Sequence, residues 1–91
     1  MEQRKIFDLP VMANRQKSFY GKAKVIEYAN GEKALQSYNT IVCKINTSGE
    51  FIRLWSYESA TTMRHINSFL SFYGLPGGGI AWWRSQKVVA A

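Results

Sequence analysis

The sequence predicts an α+β domain in which a three-stranded antiparallel meander is followed by one amphipathic helix and a short C-terminal tail. Residues 18–28, 33–45 and 51–57 alternate at a period of two, which is typical of half-buried strands. After Ser59 the apolar residues recur at three- and four-residue spacing, which indicates a helix. A helix that covers the apolar face of an antiparallel sheet gives the α+β class.

The first strand connection carries the hairpin signal Asn30-Gly31. A two-residue loop there mixes core with polar positions, whereas a three-residue loop ending at Gly31 pairs Val25 with Leu35. The same register pairs Phe19 with Ile41. We therefore expect a bulged three-residue turn with Gly31 at positive φ.

The second connection contains Ser48-Gly49, and a two-residue loop there pairs Ile45 with Ile52 and Cys43 with Leu54. This register also places Lys44 opposite Arg53 on the other face of the sheet. The apolar face is then expected to contain Phe19, Val25, Leu35, Ile41, Cys43, Ile45, Ile52 and Leu54.

The helix has start and stop signals at both ends. Ser59 or Thr61 is expected to cap its start, and Gly74 to end it in the left-handed conformation ahead of Pro76. Its core-facing stripe is predicted to be Met63, Ile66, Phe69, Leu70 and Tyr73. Its polar outer face is predicted to be Arg64, His65, Asn67, Ser68 and Ser71.

The chain divides into an N-terminal segment or edge strand over residues 1–17, the β-β-β-α domain over 18–75, and a Gly-rich linker with a Trp-containing tail over 76–91. Asp8-Leu9-Pro10 indicates a turn or an irregular edge. Of the adjacent Trp82 and Trp83, one is expected to pack back on the domain. The other is available to a partner or to a homodimer contact through the tail.

The composition limits the class of protein. The 91 residues are 46% hydrophobic, which suits a globular domain, and the net charge of +6 points to nucleic acid, a nucleoprotein or another acidic surface. No apolar run has the length of a membrane span or a signal peptide. The single cysteine, Cys43, fits a reducing compartment, so we expect a cytoplasmic protein with no membrane partner.

Catalytic chemistry is not expected. One histidine and one cysteine provide no metal-ligand spacing, Cys43 has core parity, and the glycine run at residues 77–79 lacks the lysine and hydroxyl of a phosphate loop. We therefore predict a protein that is not an enzyme and has no cofactor, no metal and no small-molecule substrate.

The sheet face away from the helix is the candidate site. Basic side chains among aromatic ones suit nucleic acid, since cations neutralise phosphates and rings stack on unpaired bases. The alternative is an ordinary sheet exterior, covered in part by the tail. The predicted binding residues are Tyr20, Lys22, Lys24, Tyr38, Lys44, Arg53, Trp55 and Tyr57.

Several strings in the chain resemble a family of small domains of unknown function encoded by phages and other mobile elements of bacteria. They are KSFYGKA at residues 17–23, SYNT at 37–40, YESATT at 57–62 and RHI at 64–66, then Phe69-Leu70, and Trp83 before Val88-Val89. The resemblance covers residues 14–90 and implies an accessory protein in the cytoplasm of a bacterial host.

Three functions are open from the sequence. The leading one is binding of nucleic acid or a nucleoprotein complex through the basic-aromatic face. The first alternative is an inhibitor of a host defence nuclease, of the anti-CRISPR type, directed at protein. The second alternative is a structural oligomer built through the tail.

Overall fold

The computed structural model describes residues 4–11, 19, 21–57 and 59–89. It confirms the α+β class, but the described residues form five strands and two helices rather than three strands and one helix. The elements are β1 (Arg4–Asp8), β2 (Ala23–Tyr28), β3 (Lys33–Ser37), β4 (Thr40–Ile45), β5 (Phe51–Arg53), α1 (Ala60–Phe72) and α2 (Ile80–Ser85). All neighbouring strands are antiparallel, and their order in the sheet is their order in the chain.

The segment predicted as one strand over residues 33–45 is two strands joined by a tight turn. Ser37 pairs with Thr40, so Tyr38 and Asn39 form a two-residue loop, and Tyr38 has a φ of 56°. Glycine is the usual residue at that backbone conformation. Alternation alone did not reveal the turn, because the polar residues around it fit a strand pattern equally well.

The first hairpin has the predicted register. Val25 lies opposite Leu35, the loop consists of residues 29–31, and Gly31 has a φ of +98°. The Asn30 side chain accepts a hydrogen bond from the backbone N–H of Glu32 at 3.0 Å, which closes the turn. The predicted pairing of Phe19 with Ile41 does not form, because β2 begins at Ala23 and β3 ends at Ser37.

The predicted register of the second hairpin is wrong by one residue. Its loop has three residues, 47–49, so Cys43 lies opposite Arg53 and Ile45 opposite Phe51. The Asn46 side chain accepts hydrogen bonds from the backbone N–H groups of Ser48 and Glu50, which stabilises the longer loop. A shift of one residue exchanges the two faces of a strand. Arg53 is therefore on the helix-facing side.

A bulge in β4 corrects another part of the predicted core. Leu35 pairs with Cys43 and Gln36 with Ile41, so Val42 is the extra residue and is fully buried beside Cys43. The predicted core residues Phe19, Val25, Leu35, Cys43 and Ile45 are buried. The predicted core residues Ile41, Ile52 and Leu54 are only half-buried and lie on the face away from the helices.

Helix α1 packs on the inner face of the sheet with the predicted stripe. Met63, Ile66, Phe69 and Leu70 are buried and Tyr73 is half-buried. The Ser59 hydroxyl accepts a hydrogen bond from the backbone N–H of Thr62 at 3.1 Å, so Ser59 is the N-cap. Gly74 has a φ of +71°, and the N–H of the following Leu75 donates to the carbonyl of Leu70, which ends the helix as predicted.

The tail returns to the domain through α2. Trp83 is fully buried, and its indole N–H donates to the carbonyl of Tyr57 at 3.0 Å. Trp82 is half-buried, and its ring lies 5.0 Å from that of Phe51. Val88 then bridges to Arg53, so the tail covers the β5 edge of the sheet.

Candidate nucleic-acid interface

The predicted binding residues do not share one face of the sheet. The paired cationic centre of Lys44 and Arg53 does not exist, because Arg53 lies opposite Cys43 and is 7% exposed while Lys44 lies on the outer face. The one-residue shift in the second hairpin is the cause. Tyr20 lies outside the described residues.

The Arg53 side chain is bonded within the protein and is not available to a ligand. Its guanidinium donates hydrogen bonds to four backbone carbonyls, those of Trp55 (2.8 Å), Ser56 (2.8 Å), Trp83 (2.9 Å) and Gln86 (3.3 Å). It also lies 4.3 Å from the centroid of the Trp83 ring, at stacking distance. Arg53 therefore joins β5, the loop after it and the tail.

The two lysines on the outer face are each paired with an acid. The Lys24 ammonium lies 3.0 Å from the Asp8 carboxylate, and the Lys44 ammonium lies 3.4 Å from that of Glu32. Hydrogen bonding from the Asn30 amide is the main reason that the pKa of Glu32 is lowered, and Lys44 adds to it. These pairs reduce the positive charge that the outer face offers to a phosphate.

The centre of the outer face is apolar. Register places Ile6, Ile26, Ala34, Ile41, Ile52 and Leu54 on it. A recess of about 300 Å³ opens there and is lined by Tyr28, Glu32, Ala34, Ile41, Lys44 and Leu54. An apolar recess between ion-paired side chains suits a protein surface better than a polyanion.

Four of the predicted residues instead lie along one end of the sheet as two pairs, Lys22 with Tyr38 and Trp55 with Tyr57. Residues 21–22 precede β2, residues 38–39 join β3 to β4, and residues 54–57 continue from the end of β5 that lies beside the start of β4. Helix α1 starts at the same end, where Thr62 reaches Ser37. We call Lys22, Tyr38, Trp55 and Tyr57 the sheet-end cluster.

The aromatic side chains of the sheet-end cluster are open to solvent to different degrees. Tyr57 is 70% exposed and Tyr38 is 49% exposed, while Trp55 is half-buried against the core. The Trp55 and Tyr57 rings lie 5.8 Å apart at a tilt of 60°. The cluster therefore presents two exposed tyrosine rings, Tyr38 and Tyr57, and Trp55 links Tyr57 to the core.

Lys22 and Tyr38 form a cation-aromatic pair within this cluster. The Lys22 ammonium lies 5.6 Å from the centroid of the Tyr38 ring. The backbone N–H of Tyr38 donates to the carbonyl of Lys22 at 2.7 Å, and the Gln36 amide donates to the carbonyl of Tyr38 at 3.0 Å. These bonds hold the Tyr38 backbone at its positive φ, so the ring projects from a rigid turn.

A buried polar group supports the Tyr38 turn from behind. His65 and Ser68, predicted on the outer face of α1, are buried. The Ser37 hydroxyl lies 2.8 Å from Nδ1 of His65, whose ring lies 5.9 Å from Tyr38. Burial lowers the pKa of His65, and the nearby Arg64 adds a smaller effect. The sequence missed this group because it predicted Phe19 within the first strand, whereas Phe19 precedes β2 and its ring lies 4.6 Å from that of His65.

The sheet-end cluster contains neither the histidine nor the cysteine of the chain. Cys43 is fully buried, and desolvation raises its pKa well above the ordinary value, so its thiol is neutral and enclosed. Among the described residues, no group of three or more histidine, cysteine, aspartate or glutamate side chains is placed to hold a metal ion.

The described part of the chain also contains no helix with the length and apolar character needed to cross a membrane.

No curated protein and no solved structure matches the sequence. Residues 7–85, which are most of the chain and include β2 to β5, α1 and α2, match Family of unknown function (DUF8033). The chain therefore belongs to that family.

Proposed function

We propose that this protein binds unpaired nucleotides, in free nucleic acid or in a nucleoprotein complex, through the sheet-end cluster. The observation that carries the proposal is the half-exposed Tyr38 ring with the Lys22 ammonium beside it. A base stacks on an exposed ring face, and an adjacent cation neutralises its phosphate.

The backbone of Tyr38 supports a role outside folding. A non-glycine residue in the left-handed region costs about 1–2 kcal/mol, and a glycine or asparagine would meet the turn's requirement with less strain. Tyr38 is nearly half exposed, so it is not a core residue whose complete burial would require a tyrosine at this position. Residues held at such a cost are concentrated at functional sites.

The charge around Lys22 also differs from that around the outer-face lysines. Among the described residues Lys22 has no ion-pair partner, whereas Lys24 and Lys44 each have a carboxylate within 4 Å. A phosphate near Lys22 therefore displaces no internal partner. The protein's net charge of +6 adds long-range attraction for a polyanion.

A second lysine–tyrosine pair at the opposite end of the sheet is a matched comparison. The Lys33 ammonium lies 5.3 Å from the centroid of the Tyr73 ring. The Tyr73 ring, however, is half-buried, and its hydroxyl donates to Glu27 at 2.7 Å, which places a carboxylate beside it. This pair is not suited to a nucleotide, so Lys33 serves as a control for Lys22.

Fluorescence anisotropy with labelled single- and double-stranded DNA and RNA, over a salt series, tests the proposal. Tyr38→Asn should weaken binding of single strands by about 5- to 150-fold, which corresponds to one stacked base, without loss of thermal stability. Lys22→Gln should reduce the slope of log K against log salt by about 0.7. Lys33→Gln, with the same change in net charge, should leave both quantities unchanged.

The proposal is wrong if the wild-type protein binds none of the four probes at low salt. It is also wrong if Lys22→Gln and Lys33→Gln reduce affinity equally, because net charge rather than the sheet-end cluster would then explain binding.

The apolar outer face favours a second candidate function, in which the protein inhibits a host defence nuclease by binding its protein surface. The recess lined by Ala34, Ile41 and Leu54 is the observation that supports it. Together with the resemblance to domains of phages and mobile elements, it keeps an anti-CRISPR type of action open. A pull-down from host lysate separates the two candidates, since a partner that survives nuclease treatment supports the second.

Both candidates are binding functions without catalysis or cofactor, in the cytoplasm of a bacterial host. The enclosed thiol of Cys43 argues against a nucleophilic role for this cysteine. A structural oligomer built through the tail has less support, because Trp83 is buried in the core of the domain and Trp82 packs on Phe51.

A further inference from the structure

The two edges of the sheet differ. At the β5 edge, Val88 bridges to Arg53 and the N–H of Val89 donates to the carbonyl of Arg53 at 2.8 Å. At the other edge, β1 pairs with β2 alone, and no described strand lies along its outer side. An uncovered edge strand presents backbone donors and acceptors to another strand.

The hydrogen-bond pattern identifies which residues of β1 face outward. The N–H of Leu9 donates to the carbonyl of Ala23 at 2.9 Å, so these two residues form a hydrogen-bonded pair. Because such pairs alternate along antiparallel strands, the backbones of Lys5 and Phe7 bond to β2. The backbone groups of Arg4, Ile6 and Asp8 therefore point away from the sheet.

We propose that two copies of this chain associate by antiparallel pairing of β1 with β1, centred on Ile6. The sequence of β1, RKIFD, is self-complementary in that register. Position 4 of one copy lies opposite Asp8 of the other, with opposite charges, and Ile6 lies opposite Ile6. All three outward-facing residues pair, which gives about six hydrogen bonds.

The side chains next to the edge fit this pairing. Ile6 is 51% exposed on the outer face. On the helix face, Phe72 is 38% exposed, and its ring lies 5.7 Å from that of Phe7. The edge thus has an exposed apolar side chain on each side, and pairing with a second copy buries both.

Charge is also favourable on both faces. Asp8 already lies 3.0 Å from Lys24 and would gain a second cation from position 4 of the other copy. On the helix face, Lys5 would lie opposite Phe7 of the second copy, extending a contact that already exists within one chain at 5.6 Å. The two sheets then form one continuous sheet, with both outer faces on the same side.

Sedimentation velocity over a concentration series tests this inference, which does not depend on the proposed function. The wild-type chain should reach twice the mass of one copy at micromolar to millimolar concentrations. Ile6→Lys places two like charges on the two-fold axis and should give a monomer, with circular dichroism showing an unchanged fold. Val89→Lys, an equally polar change at an exposed tail residue, should remain dimeric.

A charge exchange tests the register itself. Arg4→Glu and Asp8→Lys should each weaken the dimer by at least tenfold, and the double variant should recover most of the affinity. The inference is overturned if the wild-type protein is a monomer at every concentration or if the Ile6→Lys variant is still a dimer. It is also overturned if Val89→Lys dissociates the dimer. The charge exchange remains decisive even if Ile6→Lys fails to fold.

Discussion

Replacing Arg53 with methionine should destabilise the protein strongly, although Arg53 is a charged residue on a short strand. Its guanidinium donates to the carbonyls of Trp55, Ser56, Trp83 and Gln86 and stacks on the Trp83 ring. Methionine fills a similar volume but donates no hydrogen bond to these carbonyls, and the Trp83 carbonyl then keeps the N–H of Gln86 as a donor. The register expected from the sequence gives the opposite prediction, since an exposed Arg53 beside Lys44 would be dispensable.

The size of the effect follows from the number and type of bonds. A hydrogen bond to a charged group contributes about 1.5–3 kcal/mol, but four bonds made by one guanidinium are not additive. A buried carbonyl left unsatisfied costs about 1–3 kcal/mol, so the simultaneous loss of a donor by several carbonyls should cost about 3–5 kcal/mol. We expect a loss in that range, which is a large part of the roughly 5–15 kcal/mol that stabilises a domain.

Urea unfolding followed by circular dichroism and tryptophan fluorescence measures this loss. Arg53→Lys keeps the charge but not the planar donors, so it should fall between wild type and Arg53→Met. Lys44→Met removes the partly exposed pair with Glu32 and should cost less than about 1 kcal/mol. An Arg53→Met effect no larger than that of Lys44→Met would refute the register of β5 and the role assigned to Arg53.

Three further outcomes are expected. Ile66→Ala, in a fully buried position, should lower the free energy of unfolding by about 2–5 kcal/mol in urea, and a change below about 0.5 kcal/mol would contradict the packing of α1. Gly31→Val should lower the free energy of unfolding by more than about 1 kcal/mol, and Gly31→Asn should lower it less. The reason is that the φ of +98° constrains this position while the space around Gly31 is open. Equal losses for the two variants would argue against the turn. Burial lowers the pKa of His65 in the folded state, so the unfolded chain binds more protons, and stability should fall as the pH drops from 7 to 5. His65→Gln should flatten that dependence, and an unchanged dependence would assign it to another group.

The elements that depend on local pattern could be predicted from the sequence. The stripe of α1 and its cap and stop signals required only the neighbouring residues, and the structure confirms them. The first hairpin was predictable because only the three-residue loop aligned Val25 with Leu35. The α+β class followed from the change in periodicity.

The second hairpin shows why the predicted face was wrong. Both hairpins use a three-residue loop that ends in a glycine with positive φ, Gly31 in the first and Gly49 in the second. Apolar pairing favoured the shorter second loop, because it matched Ile45 with Ile52. The residue that indicates the longer loop is Asn46, because its side chain accepts hydrogen bonds from the backbone N–H groups of Ser48 and Glu50.

The candidate site depended on contacts that no local pattern contains. The sequence selected Lys22, Tyr38, Trp55 and Tyr57 for their chemistry, and the structure places them at one end of the sheet instead of on its face. The reason is that β2 begins only at Ala23, β5 ends at Arg53, and a turn at Tyr38 interrupts the predicted second strand.

Chemical-shift mapping by two-dimensional ¹H–¹⁵N NMR, with a short single-stranded oligonucleotide titrated into the labelled protein, tests the central claim most directly. Binding through the sheet-end cluster predicts the largest shifts at residues 21–22, 38–39 and 55–57, and small shifts for Ile26, Ala34 and Lys44 on the outer face. Shifts concentrated on those outer-face residues, or no shifts at all in low salt, would contradict it.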